Sequence, residues 1–180
     1  FSLDAVSAQT YLRIKGRDKL EAAARNAGRF LDEKAASGAT WPRPVFQFIV
    51  GSNNAEEAAA FKETWETACK DRSIPVRSAA GHVPQGRDAV VFFRQLDCPT
   101  AAEQERENAV FKETMAALGL ATPKQRDQTV VKAENLKPCS GFWKSPVIDW
   151  TGNVTVCTRD NGLENCIGNL RTSSFGSLWW

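Results

Sequence analysis

The sequence predicts an α/β protein in which parallel βαβ units are followed by a small, cysteine-rich β-hairpin region. Two observations lead to this prediction. Apolar segments typical of buried strands alternate with amphipathic helical segments over residues 1–127. Three of the five cysteines and four of the six tryptophans then lie within residues 138–180. We therefore divide the chain into residues 1–127 and 128–180.

The first segments predict a strand, two helices and a second strand. Residues 1–5 are strand-like, and Ser7 is suited to cap a short helical turn that Gly16 ends. A helix with an apolar stripe is expected over residues 17–36. The near-continuous apolar run of residues 45–50 predicts a strand that is buried on both faces.

Two further strands and two further helices follow. Asn53 or Asn54 is expected to cap a helix over residues 55–70, whose apolar face includes Cys69 as a buried structural thiol. Short strands are predicted at 74–77 and 89–96, separated by a loop that holds the only histidine, His82. A Thr-Ala-Ala-Glu capping box then begins a helix that ends at Leu118. Because helices supply the crossovers of parallel strands, either a doubly wound sheet or part of a barrel fits this order.

A hairpin is predicted in the cysteine-rich region. Residues 147–150 and 153–156 are strand-like, and Gly152 between them supplies the positive φ of a tight turn. Cys139 precedes Gly152 with twelve residues between, and Cys157 follows it with four. The hairpin would therefore bring one thiol to its open end, close to the incoming chain that carries the other. This spacing suits two ligands of one metal centre.

Composition excludes several classes of partner. The 180 residues are 42% hydrophobic and 24% charged, and the net charge is +2, which is ordinary for a soluble globular protein. We expect no nucleic-acid partner and no membrane partner, and the lack of an apolar spanning run or signal peptide predicts a cytoplasmic location. The chain opens within a strand-like segment and Met115 is its only methionine, so we expect a fragment of a longer protein.

Two motifs resemble parts of one family. The pattern Cys139-x12-Gly152-x4-Cys157, followed by Ile-Gly-Asn-Leu at 167–170 and Phe-x-x-Leu-Trp at 175–179, resembles the start of the SPASM domain of radical SAM enzymes. Phe-Ser-Leu-Asp-Ala at 1–5, with Tyr-x-x-Ile-Lys-Gly at 11–16, resembles the middle strand of radical SAM barrels. The resemblance implies the C-terminal half of a radical SAM-type (β/α) partial TIM barrel, followed by a SPASM-like domain that is truncated at its C-terminus. The half with the Cys-x3-Cys-x2-Cys motif is absent from these residues.

The resemblance also implies an activity. Radical SAM enzymes cleave S-adenosyl-L-methionine reductively to a 5′-deoxyadenosyl radical, which abstracts a hydrogen atom. The auxiliary 4Fe–4S cluster of the SPASM domain then accepts an electron or helps to hold the substrate, which in many members is a peptide or protein. An electron donor is the further partner implied. The fragment alone would be inactive because the catalytic cluster binds elsewhere.

Cys139, Cys157 and Cys166 are the predicted metal ligands. Thiolates are the usual ligands of iron–sulfur clusters, and a cluster normally takes four, so a further ligand must come from elsewhere. A tetrahedral zinc site and free structural thiols are the alternatives. Cys166 has no confident counterpart among the family's ligands.

Polar residues at strand ends are the other candidates, since a parallel barrel places its chemistry at the C-terminal ends of its strands. The resemblance implies that Ser2 and Asp4 bind the cofactor, although Asp4 could instead cap the following helix. Ser52 and Asn53 are further candidates at the next strand end. The predicted substrate-binding residues are Arg77, Arg94 and Asp97. Arg94 and Asp97 could alternatively pair with each other.

A rival hypothesis assigns the chain a non-enzymatic role. A metal-binding module, with either an iron–sulfur cluster or zinc, could recognise a protein partner through the tryptophan-rich region, because interfaces are enriched in aromatic residues. The sequence preceding Phe1 would separate the two hypotheses. A Cys-x3-Cys-x2-Cys motif there supports the enzyme, and a complete unrelated domain supports the module.

Overall fold

The computed structural model describes residues 1–98, 100–122, 144–158, 160 and 162–179. The chain forms two compact units, unit 1 (Phe1–Asp127) and unit 2 (Gln128–Trp180). The described residues include both helices and strands, in agreement with the predicted α/β class. Within the described ranges, every helix falls short of the length and apolarity that a membrane span requires.

Unit 1 is a parallel sheet with helices. The segment Phe1–Leu3 is followed by α1 (Ala8–Lys15), α2 (Leu20–Ser37), β1 (Val45–Val50), a 3-10 turn (Ala55–Glu57), α3 (Ala58–Lys70), β2 (Val76–Ala80), β3 (Ala89–Gln95) and α4 (Ala101–Ala117).

The sheet is parallel throughout, as the alternating pattern predicts. Its strand order is β1-β3-β2, and the N-terminal segment runs parallel to β1 through a bridge between Ser2 and Gln47. No helix lies between β2 and β3, because residues 81–88 return directly as a loop. In this order β1 pairs with β3 rather than with β2, and β2 lies at the edge of the sheet. In a barrel built only of strand–helix repeats, each strand would pair with the next strand in the sequence. Closure into half of a barrel therefore stays a prediction.

The core of unit 1 lies on one face of the sheet. Phe46, Phe48 and Val50 of β1 are fully buried, and they cluster with buried residues of all four helices, including Leu31 and Phe61. The intervening residues of β1 are only half-buried. The prediction that β1 is buried on both faces was therefore wrong, whereas residues 89–93 of β3 are all buried.

The helix ends follow the sequence closely. The Ser7 side chain accepts a hydrogen bond from the Thr10 N–H at the start of α1, and Gly16 ends that helix in the left-handed conformation. The predicted capping box of α4 is present, since Thr100 accepts from the Glu103 N–H. Asn54 differs from its prediction because its side chain makes no cap hydrogen bond to the following helix.

Unit 2 contains a three-stranded antiparallel sheet and one short helix. The elements are β4 (Val147–Ile148), β5 (Asn153–Thr155), β6 (Cys166–Asn169) and α5 (Phe175–Trp179), and the strand order is β4-β5-β6. The predicted hairpin is therefore confirmed between β4 and β5. Its strands are shorter than predicted, because the Asp149 side chain takes over the hydrogen bonding at the turn.

Candidate functional site

A polar network lies around the N-terminal segment, which runs beside β1 in unit 1. The Ser2 hydroxyl donates to Asp4 Oδ2 at 3.0 Å and accepts from Gln47 Nε2 at 3.3 Å. Lys15 of α1 forms an ion pair with Asp4, whose side chain is 3% exposed. Ser2 itself is exposed. The sequence-predicted pair Ser2 and Asp4 thus lies together, and Lys15 is the partner that the sequence analysis did not single out.

Asp4 ties the first strand to the C-terminal end of β1. Its Oδ1 accepts the Ile49 N–H at 2.7 Å, and its backbone carbonyl accepts from Asn54 Nδ2 at 2.9 Å. The residue has a positive φ of 61°, which is uncommon outside glycine and is held here by these contacts. Asp4 is therefore not a helix cap. Ser7 has that role, and the cofactor-binding role of Asp4 stays a prediction.

The loop of residues 51–54 is fixed by a buried carboxylate from another helix. Glu107 of α4 is 5% exposed and accepts hydrogen bonds from the Ser52 N–H at 2.7 Å and the Ser52 hydroxyl at 2.8 Å. Arg13 donates to the Asn53 carbonyl from the other side. The exposed candidates Ser52 and Asn53 are thus presented by a rigid loop at the end of β1.

Sequence analysis missed Glu107, although a signal for it was present. Glu107, Phe111 and Met115 stand four residues apart on α4, and all three are buried. A single carboxylate within an apolar stripe at helical spacing indicates a buried acceptor, since charged groups are seldom buried without partners.

A second carboxylate, Glu57, binds the chain between the first strand and α1. It accepts hydrogen bonds from the Val6 N–H at 2.6 Å and from the Ser7 hydroxyl at 2.5 Å. Partial burial raises the pKa of Glu57, but the hydrogen bonds from Ser7 and Val6 outweigh it, so the pKa lies below its ordinary value.

The three predicted substrate residues do not form one group. Arg77 is the second residue of β2, which runs from residue 76 to 80 rather than 74 to 77, so its predicted place at the strand's C-terminal end was wrong. Its side chain turns to the loop instead, donating to the Gln85 carbonyl and lying 3.7 Å from Asp88. Arg94 and Asp97 pair with each other at 2.8 Å, and both are exposed. Their role in substrate binding stays a prediction.

Several of the predicted polar residues lie in rows on the face of the sheet opposite the main core. Side chains alternate between the two faces of a strand, so Gln47 and Ile49 of β1 point away from the helix-covered core. The register places Gln47 beside Ser2 and Phe92, and Ile49 beside Arg94. This face therefore mixes polar groups with apolar ones, as a ligand-binding surface does.

The hairpin turn of unit 2 is built around Asp149. Its Oδ1 accepts from the N–H groups of Thr151 and Asn153 at 2.8 and 2.9 Å and from the Thr151 hydroxyl at 2.7 Å. The Thr151 hydroxyl, with the Asn153 and Thr151 N–H groups, lowers the pKa of this carboxyl despite some desolvation. Gly152 has φ 92°, which confirms its predicted conformation. Four residues, 149–152, separate β4 from β5, whereas two were predicted.

The Ile-Gly-Asn-Leu motif allows α5 to pack against β6 and joins β6 to the hairpin turn. A Cβ at Gly168 would lie 2.4 Å from Leu178 Cδ2, so only glycine lets α5 pack against β6. Asn169 donates to the Thr151 carbonyl and to Asn153 Oδ1, which joins β6 to the hairpin turn. Gly168 and the Leu-Trp tail therefore depend on each other for this packing.

Cys157 and Cys166 lie at the same end of the small sheet. Cys166 pairs with Thr155 across β5 and β6, and Cys157 follows Thr155 by two residues. Val147 also pairs with Thr155, so the chain that enters β4 arrives at this end. Cys157 is half-buried and Cys166 is exposed. Cys139 lies outside the described residues.

The described thiols fit part of a metal centre. Among residues whose placement is described, no three His, Cys, Asp or Glu side chains form a group that could hold a metal ion. Two thiols at one end of a sheet supply the soft ligands that iron–sulfur clusters require, and Cys139 is the third candidate. The donor chemistry is therefore that of a cluster-binding or zinc-binding domain.

Comparison with known proteins gives one match to a family model. Residues 139–180 match the family model SPASM, an iron–sulfur cluster-binding domain. The match starts at Cys139 and spans Cys157, Cys166 and the Ile-Gly-Asn-Leu motif. A search of curated proteins and a search of solved structures each gave no match.

Proposed function

We propose that this chain is part of a radical SAM/SPASM enzyme and that it binds an auxiliary 4Fe–4S cluster through Cys139, Cys157 and Cys166. The match of residues 139–180 to an iron–sulfur cluster-binding domain carries this proposal. When bound, the cluster would supply one-electron redox chemistry. The substrate would be a peptide or protein, in line with the family that the motifs resemble.

The sheet of unit 1 supports the enzyme over a simple metal carrier. Its main apolar core joins one face of the sheet to the four helices, and in a (β/α) barrel the face opposite to the helices lines the interior where ligands bind. Ser2 lies beside Gln47 on the face opposite this core, and its hydroxyl contacts Asp4, which pairs with Lys15. In this proposal these residues orient the polar part of S-adenosyl-L-methionine, and Arg94 with Asp97 contacts the substrate.

Anaerobic reconstitution with iron and sulfide tests the cluster. The protein should acquire the broad visible absorption of an iron–sulfur centre, and Cys139→Ala or Cys157→Ala should abolish it. Cys166→Ala tests the third ligand. Cys69→Ala is the matched control, because Cys69 is fully buried in unit 1 and burial raises its pKa to about 11. Loss of the absorption in Cys69→Ala as well would mean that the wrong thiols were assigned.

One observation favours the alternative, a non-enzymatic metal-binding module. Trp150 at the hairpin tip is 92% exposed, and Ile148, Ile167 and Phe175 of unit 2 are also exposed. Exposed aromatic residues on a rigid turn suit a protein interface. Uptake of zinc in place of iron during reconstitution, measured by metal analysis, would support this module against the enzyme.

A further inference from the structure

We propose that Asp160 is a positioning residue for the cysteine ligands, because its hydrogen bonds hold the described residues between Cys157 and Cys166 so that both cysteines lie at the same end of the small sheet. This inference rests on the proposed cluster-binding function and adds the residue that prepares the site before metal binds.

Three backbone hydrogen bonds connect the described residues between Cys157 and Cys166. The Asp160 N–H donates to the Cys157 carbonyl at 3.1 Å, and the Asp160 carbonyl accepts from the Leu163 N–H at 3.2 Å. The Cys166 N–H then donates to the Leu163 carbonyl at 3.2 Å. Each bond joins residues three apart, so Asp160 is linked to both cysteines through the main chain.

The Asp160 carboxylate accepts further hydrogen bonds from the same segment and from β5. Its Oδ1 accepts the Glu164 N–H at 2.9 Å, and its Oδ2 accepts the Asn165 N–H at 2.9 Å and the hydroxyl of Thr155. Thr155 lies on β5 and is 2% exposed, so the carboxylate anchors the loop to the sheet. Hydrogen bonds to a charged acceptor are about twice as strong as neutral ones.

Strain in the segment shows that these bonds decide its shape. Leu163 has φ 56°, in the left-handed region that a branched-chain residue seldom occupies. Such a conformation persists only where surrounding contacts hold it. The carbonyl of Asp160 and the N–H of Cys166 are those contacts on either side of Leu163.

Asp149 provides a matched comparison within unit 2. It too accepts hydrogen bonds from two backbone N–H groups and a threonine hydroxyl. It lies at the turn between β4 and β5, which is the end of the hairpin opposite to Thr155 and Cys157. Neutralising Asp149 therefore removes the same type of interaction away from the thiols.

The test compares Asp160→Asn with Asp149→Asn in the full chain after anaerobic reconstitution. The amide presents one oxygen and one donor, so Asp160→Asn cannot accept the bonds made at both carboxylate oxygens. Residues that orient metal ligands typically contribute about 10–100-fold to metal affinity. We expect iron release to a chelator at least about tenfold faster in Asp160→Asn, and within about twofold of wild type in Asp149→Asn.

Two readouts separate positioning from general stability. Asp160→Asn should alter the electron paramagnetic resonance signature of the reduced cluster and raise its reduction potential, since a nearby negative charge is lost. Asp149→Asn should change neither, although both variants should lower the free energy of unfolding of the metal-free protein. Thr155→Ser keeps the hydroxyl and should behave as wild type, whereas Thr155→Val should release iron faster.

The outcomes distinguish the two proposals. If wild-type protein takes up iron and Asp160→Asn retains it as well as wild type, the positioning role is wrong and the proposed function stands. Equal iron loss from Asp149→Asn would likewise contradict the positioning role. If wild-type protein takes up no iron, the proposed function and this inference fail together.

Discussion

Trp65 and Trp150 show how differently the two units are held together. Trp65 of α3 is 5% exposed and stacks on Phe46 of β1, with ring centroids 4.2 Å apart. Trp150 of unit 2 is 92% exposed at the hairpin tip. One tryptophan fills the core of a helix-covered sheet, whereas the other contributes no burial to its own unit.

The same contrast extends to the whole of each unit. Unit 1 has a continuous apolar core that joins its sheet to its helices. In the described part of unit 2, Val154 is the one fully buried apolar residue, and carboxylate and amide side chains bind the turns instead. Small units with little core usually need a metal or another cross-link for stability. The described part of unit 2 is therefore held together mainly by polar contacts, and a bound cluster would stabilise it.

The largest expected effect separates the two tryptophans. Trp65→Ala removes a buried aromatic side chain and should lower the free energy of unfolding of unit 1 by about 3–5 kcal/mol. Trp150→Ala is the matched control and should change stability by no more than about 0.5 kcal/mol. Denaturant unfolding of both variants checks this. A loss of several kcal/mol in Trp150→Ala would mean that unit 2 has a core around that residue.

A smaller effect is expected at the hairpin turn. Gly152 has φ 92°, and a Cβ there would lie 3.1 Å from Asn169 Oδ1. Gly152→Val should therefore destabilise unit 2 by about 1–3 kcal/mol, because a β-branched residue is poorly tolerated at positive φ. Faster hydrogen exchange of the Leu170 amide, which donates to the Gly152 carbonyl, is the measurement.

Gly176 supplies the control for that substitution. It lies in α5, has no positive φ, and a Cβ there would meet nothing within 4 Å. Gly176→Ala should leave exchange at Leu170 unchanged. Equal acceleration in both variants would show that the turn conformation of Gly152 is not what stabilises the hairpin.

The sequence predicted the features that depend on local chemistry. Ser7, Gly16 and the Thr100 capping box were identified because caps need particular side chains at fixed spacings. Gly152 was identified for the same reason. The parallel sheet followed from alternating strands and helices, and the cluster-binding region followed from cysteine spacing and the Ile-Gly-Asn-Leu motif.

Features that depend on long-range contacts were not predicted. Glu107 reaches Ser52, and Glu57 reaches Ser7, each across about fifty residues of sequence. The position of β3 between β1 and β2 likewise depends on tertiary contacts, which no local sequence pattern predicts. Arg77 was misplaced because the end of a strand is set by its neighbours in the sheet, and β2 continues to Ala80 beside β3.

The smallest expected effect concerns acid. The pKa of Asp149 lies below its ordinary value of 3.8, because the Thr151 hydroxyl and neighbouring N–H groups bind the charged form. A lowered folded-state pKa means that this contribution to stability is fully present above the ordinary value and is lost as pH falls through the lower, folded-state value. The hairpin of the metal-free protein should therefore loosen below about pH 4.

Nuclear magnetic resonance of the Thr151 and Asn153 amides between about pH 6 and pH 2 measures this loosening. Asp149→Asn should remove the pH dependence of both amides. Glu57 gives the comparison in unit 1: its pKa is also lowered by hydrogen bonds that outweigh its burial, but the sheet of unit 1 is joined to its helices by an apolar core as well. The amides of β1 should consequently stay protected at a pH where those of the hairpin exchange. If the amides of β1 lost protection at a higher pH than those of the hairpin, unit 1 would be the more acid-sensitive unit, contrary to this prediction.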